Sequence, residues 1–313
     1  MEKIKVIFMG TPEFSVPILE GLIREYNVVG VVTQPDKEVG RHKEIVFSPI
    51  KKIAIENNIR IIQPAKIKSE YSEILNLNPD IIITCAYGQI IPKQILDFPK
   101  YGCINVHASL LPRLRGGAPI QRAIINGDEK TGITIMYMNE SMDSGDILSQ
   151  QEIKIPFEMN YGELHDKLSC LGSSLLLETL PKIIDGSITP IKQDEELVTF
   201  GRIIKREDEF LDFDTTTISI YNKIRGLSPN PGAYSILEGK IVKIYKSRIG
   251  KNLSKALSGT IVNIYKDGIG VKTRDGEIII EELKLEGKKK INASEYLNGV
   301  NKDKLLGKRF MKE

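Results

Sequence analysis

Short apolar runs alternate with amphipathic stretches between residues 6 and 125, and after residue 208 the pattern changes to β-like runs broken by Asp-Gly turns. These two observations predict an α/β chain: a Rossmann-like, doubly wound, mostly parallel sheet followed by a smaller C-terminal β-barrel (OB-like) domain. Residues 6–9, 28–32, 59–62, 81–84 and 103–106 are short and rich in Val and Ile, the pattern of buried parallel strands. Residues 16–26, 50–57, 71–77 and 120–125 have helical spacing and supply the crossovers that parallel strands need. Residues 131–138 and 147–155 read as strands, and residues 161–184 as a helix stopped by Asp185-Gly186. Pro190 and the polar run Lys192-Gln193-Asp194-Glu195-Glu196 mark an exposed connection. The expected organisation is a catalytic domain over residues 1–189, a linker over 190–208 and a basic β-barrel domain over 209–313. In that last part, residues 218–227 read as a helix before the Pro229-Asn230-Pro231-Gly232 turn. Residues 241–245, 259–265, 268–273 and 277–283 read as antiparallel strands, with Asp267-Gly268 and Asp275-Gly276 as turns.

At 313 residues the chain is long enough for two domains with at least one substantial core. Its apolar fraction of 41% comes in short segments, none approaching the roughly 20 apolar residues that span a bilayer. The first eight residues run straight into a strand-like segment, without the apolar core and cleavage site of a signal peptide. The expectation is a cytoplasmic protein, monomeric and unattached to membrane. Cys85, Cys103 and Cys170 lie far apart in apolar segments, which favours buried, reduced thiols. With three histidines, no HExxH and no paired-Cys spacing, no metal site is expected.

The net charge of +3 hides a segregation: residues 201–313 hold 23 Lys and Arg against 15 Asp and Glu, whereas residues 1–200 hold 21 against 26. A basic C-terminal part fits a polyanionic partner, and equally a solvated lysine-rich surface. Lys288-Lys289-Lys290 on its own is more often a solvated run, but within this basic part it becomes a candidate phosphate contact.

The chemistry-bearing run is Asn105-Val106-His107-Ala108-Ser109-Leu110-Leu111-Pro112, followed by Asp143-Ser144-Gly145-Asp146. Asn105 and His107 sit two apart at the end of a strand, so their side chains share a face, about 7 Å apart at Cα. An amide can donate to a developing oxyanion, an imidazole can move a proton near neutral pH, and a carboxylate can orient that imidazole. The set suits acyl transfer to an amine. In a doubly wound sheet the ligand crevice lies at the carboxyl ends of strands, where Gly10, Ala86-Tyr87-Gly88 and residues 105–112 all fall. Ser109 as a nucleophile would need a base that nothing local supplies. Gly10-Thr11-Pro12-Glu13-Phe14 replaces the glycine-rich dinucleotide fingerprint with one glycine and a proline, which disfavours NAD. Residues 34–49 exceed a typical βα connection and carry Arg41, His42 and Lys43, and read as either a lid or a solvated loop.

Gly10–Phe14, Gln34-Pro35-Asp36 with Gly40-Arg41, Ala86-Tyr87-Gly88, the 105–112 run and Asp143–Asp146 together resemble the methionyl-tRNA formyltransferase family of folate-dependent formyltransferases, over nearly the whole chain. The resemblance implies that 10-formyltetrahydrofolate donates a formyl group to the amino group of methionine on initiator tRNA. It implies Asn105, His107 and Asp143, rather than Asp146, as the catalytic trio; the roles expected of them are Asn105 and His107 hydrogen-bonding the formyl oxygen as the amine attacks, with Asp143 holding His107 and assisting proton removal, directly or through water. It makes Ser109, Leu110, Leu111 and Pro112 the folate loop, whose stiff, leucine-bearing chain offers apolar walls to a flat pterin. It assigns the acceptor end of the tRNA to the 34–49 loop through Arg41 and Lys43. A folate-dependent enzyme acting on an amino sugar or on glycinamide ribonucleotide would share the core. The long loop and the added basic domain favour tRNA. A noncatalytic RNA-binding protein is the reading of another class, weakened by the intact trio.

Overall fold

A computed structural model describes residues 4–39, 44–251 and 254–311. Arg41, His42 and Lys43 lie outside the described residues. The chain divides into two compact units. One takes in the chain up to Pro119 with Thr131–Ile153 and His165–Arg202; the other takes in Ile120–Lys130, Lys154–Leu164 and the chain from Ile203 onward.

The first unit is built on a seven-stranded sheet, with the short strands β3 (Lys37–Val39) and β4 (Glu44–Val46) forming a separate antiparallel pair. Its members are β1 (Lys5–Gly10), β2 (Asn27–Val32), β5 (Ile61–Ile62), β6 (Ile81–Cys85), β7 (Cys103–His107), β8 (Lys130–Tyr137) and β9 (Ile147–Lys154), in the order β5-β2-β1-β6-β7-β8-β9. The first four pairings are parallel, and β7 meets β8 antiparallel. The sheet is therefore mostly parallel, and the chain turns from one side of β1 to the other between β5 and β6. The crevice of such a reversal opens at the carboxyl ends of β1 and β6.

The strand cores are apolar on both faces because both are covered: Val6–Met9 and Ile81–Ile83 are fully buried. The connecting helices are α1 (Val16–Glu25), α2 (Pro49–Glu56), α3 (Ser72–Asn76) and the single-turn α4 (Lys93–Leu96). Helix α2 starts where Ser48 accepts a hydrogen bond from the Lys51 backbone N–H at 3.1 Å, with Pro49 at the first turn. Helices α5 (Pro119–Asn126) and α6 (Tyr161–Ile184) follow β7 and β9.

The thiols depart in part from expectation. Cys85 and Cys103 are buried and free, and burial pushes both up to about 12, so neither offers a thiolate near neutral pH. Cys170, expected to be buried, is exposed. It lies on α6 two residues beyond the buried Leu168, about 200° round the helix and away from the core face.

The connection after α6 is largely exposed, as its polar composition requires, yet it is pinned along its length. Ile191 exchanges both backbone hydrogen bonds with Ile147, at 2.7 and 2.8 Å. The Arg115 N–H donates to the Thr199 carbonyl at 2.9 Å, and the Gly201 N–H donates to the Arg115 carbonyl at 2.7 Å.

The second unit carries α7 (Arg206–Glu209), α8 (Thr217–Gly226) and an antiparallel sheet. The sheet comprises β10 (Ala233–Leu237), β11 (Lys240–Gly250), β12 (Ile261–Ile264), β13 (Ile269–Lys272), β14 (Glu277–Leu285), β15 (Ile291–Asn292) and β16 (Phe310–Met311). Its order is β12-β13-β14-β11-β10-β16. A bridge from Thr260 to Arg309 and an Ile261 N–H to Lys308 carbonyl bond of 2.8 Å draw the two outer strands together, the barrel-like arrangement predicted. Ile220, Ile224 and Leu227 plug its core beside Val242, Ile244, Val271 and Ile278.

The turn Asp275-Gly276 does more than reverse the chain. The Asp275 carboxylate accepts from the Thr217 backbone N–H at 2.7 Å and from its hydroxyl at 2.8 Å, seating the first turn of α8 on the β13–β14 turn. The Thr217 backbone and hydroxyl hydrogen bonds hold the Asp275 carboxyl below the usual carboxylate range. Its contribution is present above the unfolded value of about pH 4 and is lost as pH falls through the lowered native value. The group is exposed, so screening keeps the effect small. Asp275→Asn should lower the thermal midpoint at neutral pH by roughly 1–3 °C, and the gap from the parent should close below about pH 4. Thermal unfolding across a pH series checks this, and a gap that persists in acid would refute it.

Candidate active site

Strand β7 delivers two of the three sequence-identified groups. In its register Asn105 stands opposite Thr84 of β6 and Met136 of β8, and His107 stands opposite Thr134, so both side chains leave the same face while Val106 buries on the other. The neighbouring strand orients the amide. The Thr84 hydroxyl donates to Asn105 Oδ1 at 2.9 Å, which turns Asn105 Nδ2 towards Asp143.

Asp143 comes from the loop between β8 and β9. Its φ of +49° is left-handed, a conformation costing most L-residues about 1–2 kcal/mol and one that Asp tolerates better than most. Two residues on, a Cβ at Gly145 would collide with the Tyr137 carbonyl oxygen, so only glycine lets the loop enter β9 there. Asp143 Oδ1 lies 3.4 Å from Asn105 Nδ2 and 3.7 Å from His107 Nδ1. Its Oδ2 accepts the Gly116 N–H at 2.8 Å. The carboxylate is about one-sixth exposed, at 16%, and the imidazole less so at 7%, so their interactions are only partly screened.

His107 has one nitrogen committed. Its Nε2 lies 3.0 Å from the Leu114 carbonyl, which can only accept, so Nε2 carries a hydrogen. A neutral ring therefore presents a bare Nδ1 to Asp143, and a protonated ring presents an N–H there. Leu114 reaches this position through its own left-handed turn, φ +59°, with its N–H donating to the Thr199 hydroxyl at 2.9 Å.

The structure thus brings Asn105, His107 and Asp143 together. Asp146, three residues on, uses its carbonyl to accept the Tyr137 N–H at 2.9 Å at the entry to β9. The 109–112 loop is strongly pinned. The Ser109 hydroxyl donates to the Arg113 carbonyl at 2.6 Å, leaving no free nucleophile. Thr134 gathers the Ser109 carbonyl, the Leu111 N–H and the Gln150 amide within 3.1 Å. Leu111 is buried against Met136 and Ile147, and both of its backbone groups are engaged. Leu110 and Pro112 are the half-buried members of the loop and the ones with surface left to offer. Arg41 and Lys43 lie outside the described residues, while the root of their loop is tied. Lys51 Nζ bonds Asp36 Oδ2 at 2.5 Å and sits 4.2 Å from the centre of the Phe47 ring. The Lys51 hydrogen bond, followed by that from Gln63, holds the Asp36 carboxyl below the usual range. Lys288, Lys289 and Lys290 are exposed in the turn before β15, with Lys290 paired to Glu282 at 2.9 Å. Among the described residues, no three His, Cys, Asp or Glu side chains gather as metal ligands would, and no helix is long and apolar enough to cross a membrane.

Sequence reasoning missed Thr84, Arg115 and Gln193, and read Gly116-Gly117 only as backbone latitude beside the 105–112 run, not as a donor to Asp143. Arg115 adjoins that run and could have been flagged by proximity. Gln193 lies 50 residues from Asp143 in a polar run, with nothing local to mark it.

Residues 2–180 match the family model described as "Formyl transferase", and residues 203–301 match "Formyl transferase, C-terminal domain". The chain is 53% identical over 301 residues to a methionyl-tRNA formyltransferase of Bacillus cytotoxicus, covering 95% of this chain and 96% of that one. It is 50% identical over 311 residues to that of a Geobacillus species, covering 98% of each. In fold it is similar to the methionyl-tRNA formyltransferase of Clostridium thermocellum, with a TM-score of 0.54 at 20% identity over 79% of this chain and 94% of that one. It is also similar to an N-formyltransferase of Helicobacter canadensis in complex with folinic acid and dTDP-3-aminofucose, with a TM-score of 0.66 at 20% identity over 88% and 98%. With near-complete coverage at half identity and both domains matched, this chain belongs to the methionyl-tRNA formyltransferase family.

Proposed function

We propose that this protein transfers the formyl group of 10-formyltetrahydrofolate to the amino group of methionine on charged initiator tRNA, acting as a monomer in the cytoplasm without a metal ion. The observation that carries the reading is the convergence of the Asn105 amide and His107 imidazole on Asp143 Oδ1, at 3.4 and 3.7 Å, in a chain of this family.

In the reaction the amine nitrogen attacks the formyl carbon, and the carbonyl oxygen becomes an oxyanion. Asn105 supplies a pre-aimed donor, because Thr84 already occupies its Oδ1 and leaves Nδ2 to the cleft side. With Nε2–H given to the Leu114 carbonyl, neutral His107 is assigned not to the formyl oxygen, where the sequence suggested it, but to the attacking amine, whose lost proton Nδ1 accepts. The imidazolium formed faces Asp143, whose charge stabilises it. The carbon–nitrogen bond to the folate then breaks, and the proton returns to the departing nitrogen, giving tetrahydrofolate and the formylated amine. No covalent bond to the protein is needed. Ser109, Leu110, Leu111 and Pro112 form the donor loop, Leu110 and Pro112 facing the pterin and Ser109 and Leu111 fixing their position. Arg41 and Lys43 contact the acceptor end of the tRNA, and the basic second unit contacts its phosphates.

Single-turnover formylation of charged initiator tRNA tests the reading, with glycinamide ribonucleotide and an amino sugar nucleotide as rival acceptors. Transfer to either rival and none to the tRNA would overturn it. Asn105→Ala should slow transfer by about 10²–10³-fold while leaving the thermal midpoint unchanged; near-normal turnover would remove the oxyanion role. If the second unit meets phosphates, changing Lys288, Lys289 and Lys290 to Gln should reduce the steepness with which tRNA affinity falls with salt, by about 0.7–0.9 in log–log slope for each phosphate no longer neutralised. An unchanged slope would rule out this lysine run as the phosphate-binding element.

A further inference from the structure

We propose that Gln193, held by Arg115, is a positioning residue for the reacting centre: it sets where the Asp143 carboxylate stands. The inference rests on the reading of Asp143 as a group of that centre.

The Gln193 side chain is fully committed. Its Nε2 donates to the Asp143 carbonyl at 2.9 Å and to the Gly145 carbonyl at 2.8 Å. Its Oε1 accepts from Arg115 twice, from Nε at 3.0 Å and from a terminal nitrogen at 2.9 Å. A guanidinium can only donate, so Oε1 must face Arg115 and the NH₂ must face the two carbonyls. Arg115 is itself 6% exposed, and its backbone is bonded to Thr199 and Gly201 on both sides. Its remaining guanidinium donors reach Glu195, whose carboxyl is held below the usual range by this hydrogen bonding.

The adjacent Gly116 N–H donates directly to Asp143 Oδ2 at 2.8 Å. Asp143 is thus gripped twice from one place on the chain: its carboxylate by Gly116, and its left-handed backbone by Arg115 through Gln193. Losing the second grip frees a φ of +49° to relax, and the carboxylate moves with it. Gln193 is polar and half-buried, in a connection that is largely exposed, so its removal should disturb the aim of Asp143 more than the stability of the fold.

The test uses the full chain with Gln193→Ala and Gln193→Glu. A glutamate keeps an acceptor for Arg115 but, ionised, has no hydrogen for the two carbonyls. Both variants should lower kcat by about 10-fold or more, with KM for donor and for charged tRNA within about 2-fold and an unchanged thermal midpoint. In an Asp143→Ala background, Gln193→Ala should cost less than about 2-fold further, because its effect passes through a group already gone. Wild-type turnover by Gln193→Glu, or losses that multiply in the double variant, would overturn the positioning role alone. Full activity of Asp143→Ala would instead overturn the reading of the centre on which it rests.

Discussion

A carboxylate drawn mostly out of water must be given hydrogen-bond donors, and that requirement at Asp143 ties together the loops around the site. One donor is the Gly116 N–H, so the chain after the 105–112 run has to fold back to Asp143. It does so through the left-handed Leu114, whose carbonyl at the same time claims His107 Nε2 and fixes the ring. Leu114 and Arg115 are in turn fastened to Thr199 and Gly201 of the connecting segment. The connection is therefore part of the wall of the site as well as a link in the chain.

Against this frame the sheet acts as a rigid rule. The buried cores of β1 and β6 leave β7 one register relative to its neighbours, and that register places Asn105 and His107 on one face with Thr84 behind the amide. A slip of one residue would exchange both polar side chains for Val106, burying two groups without partners. Strand β8 runs antiparallel to β7 with Tyr137 opposite Ile104, so the loop leaving β8 departs beside the amino end of β7 and brings Asp143 back over the face that the Asn105 and His107 side chains share. The chemistry proposed for the site asks little more of the scaffold than this: an aimed donor, a proton carrier with one nitrogen committed, and a nearby negative charge.

Much of this was legible in the sequence because it depends on local periodicity. The alternation of Val- and Ile-rich runs with amphipathic segments marks strands and crossovers, and the two Asp-Gly turns mark the antiparallel part; both signals act over a few residues. Asn105 and His107 could be paired from spacing alone, since a strand's two-residue repeat fixes which side chains share a face. The choice of Asp143 over Asp146 as their partner came through resemblance, because no local rule says which residue of a loop after one strand reaches the end of another. The same limit applied to Cys170, whose apolar neighbours suggested burial when its angle on α6 faces it outward.

By itself, then, the sequence determined the order of elements, the class of fold and the kinds of group available for acyl transfer to an amine. Tertiary structure alone decided which nitrogen of His107 is committed, which way the Asn105 amide points, and that Gln193, 50 residues away and itself held by Arg115, bonds the Asp143 backbone. The physical reason is the range of the forces. Propensity and periodicity act between near neighbours along the chain, whereas a hydrogen bond is settled by fractions of an ångström between groups that only the folded sheet and its strapped loops bring together.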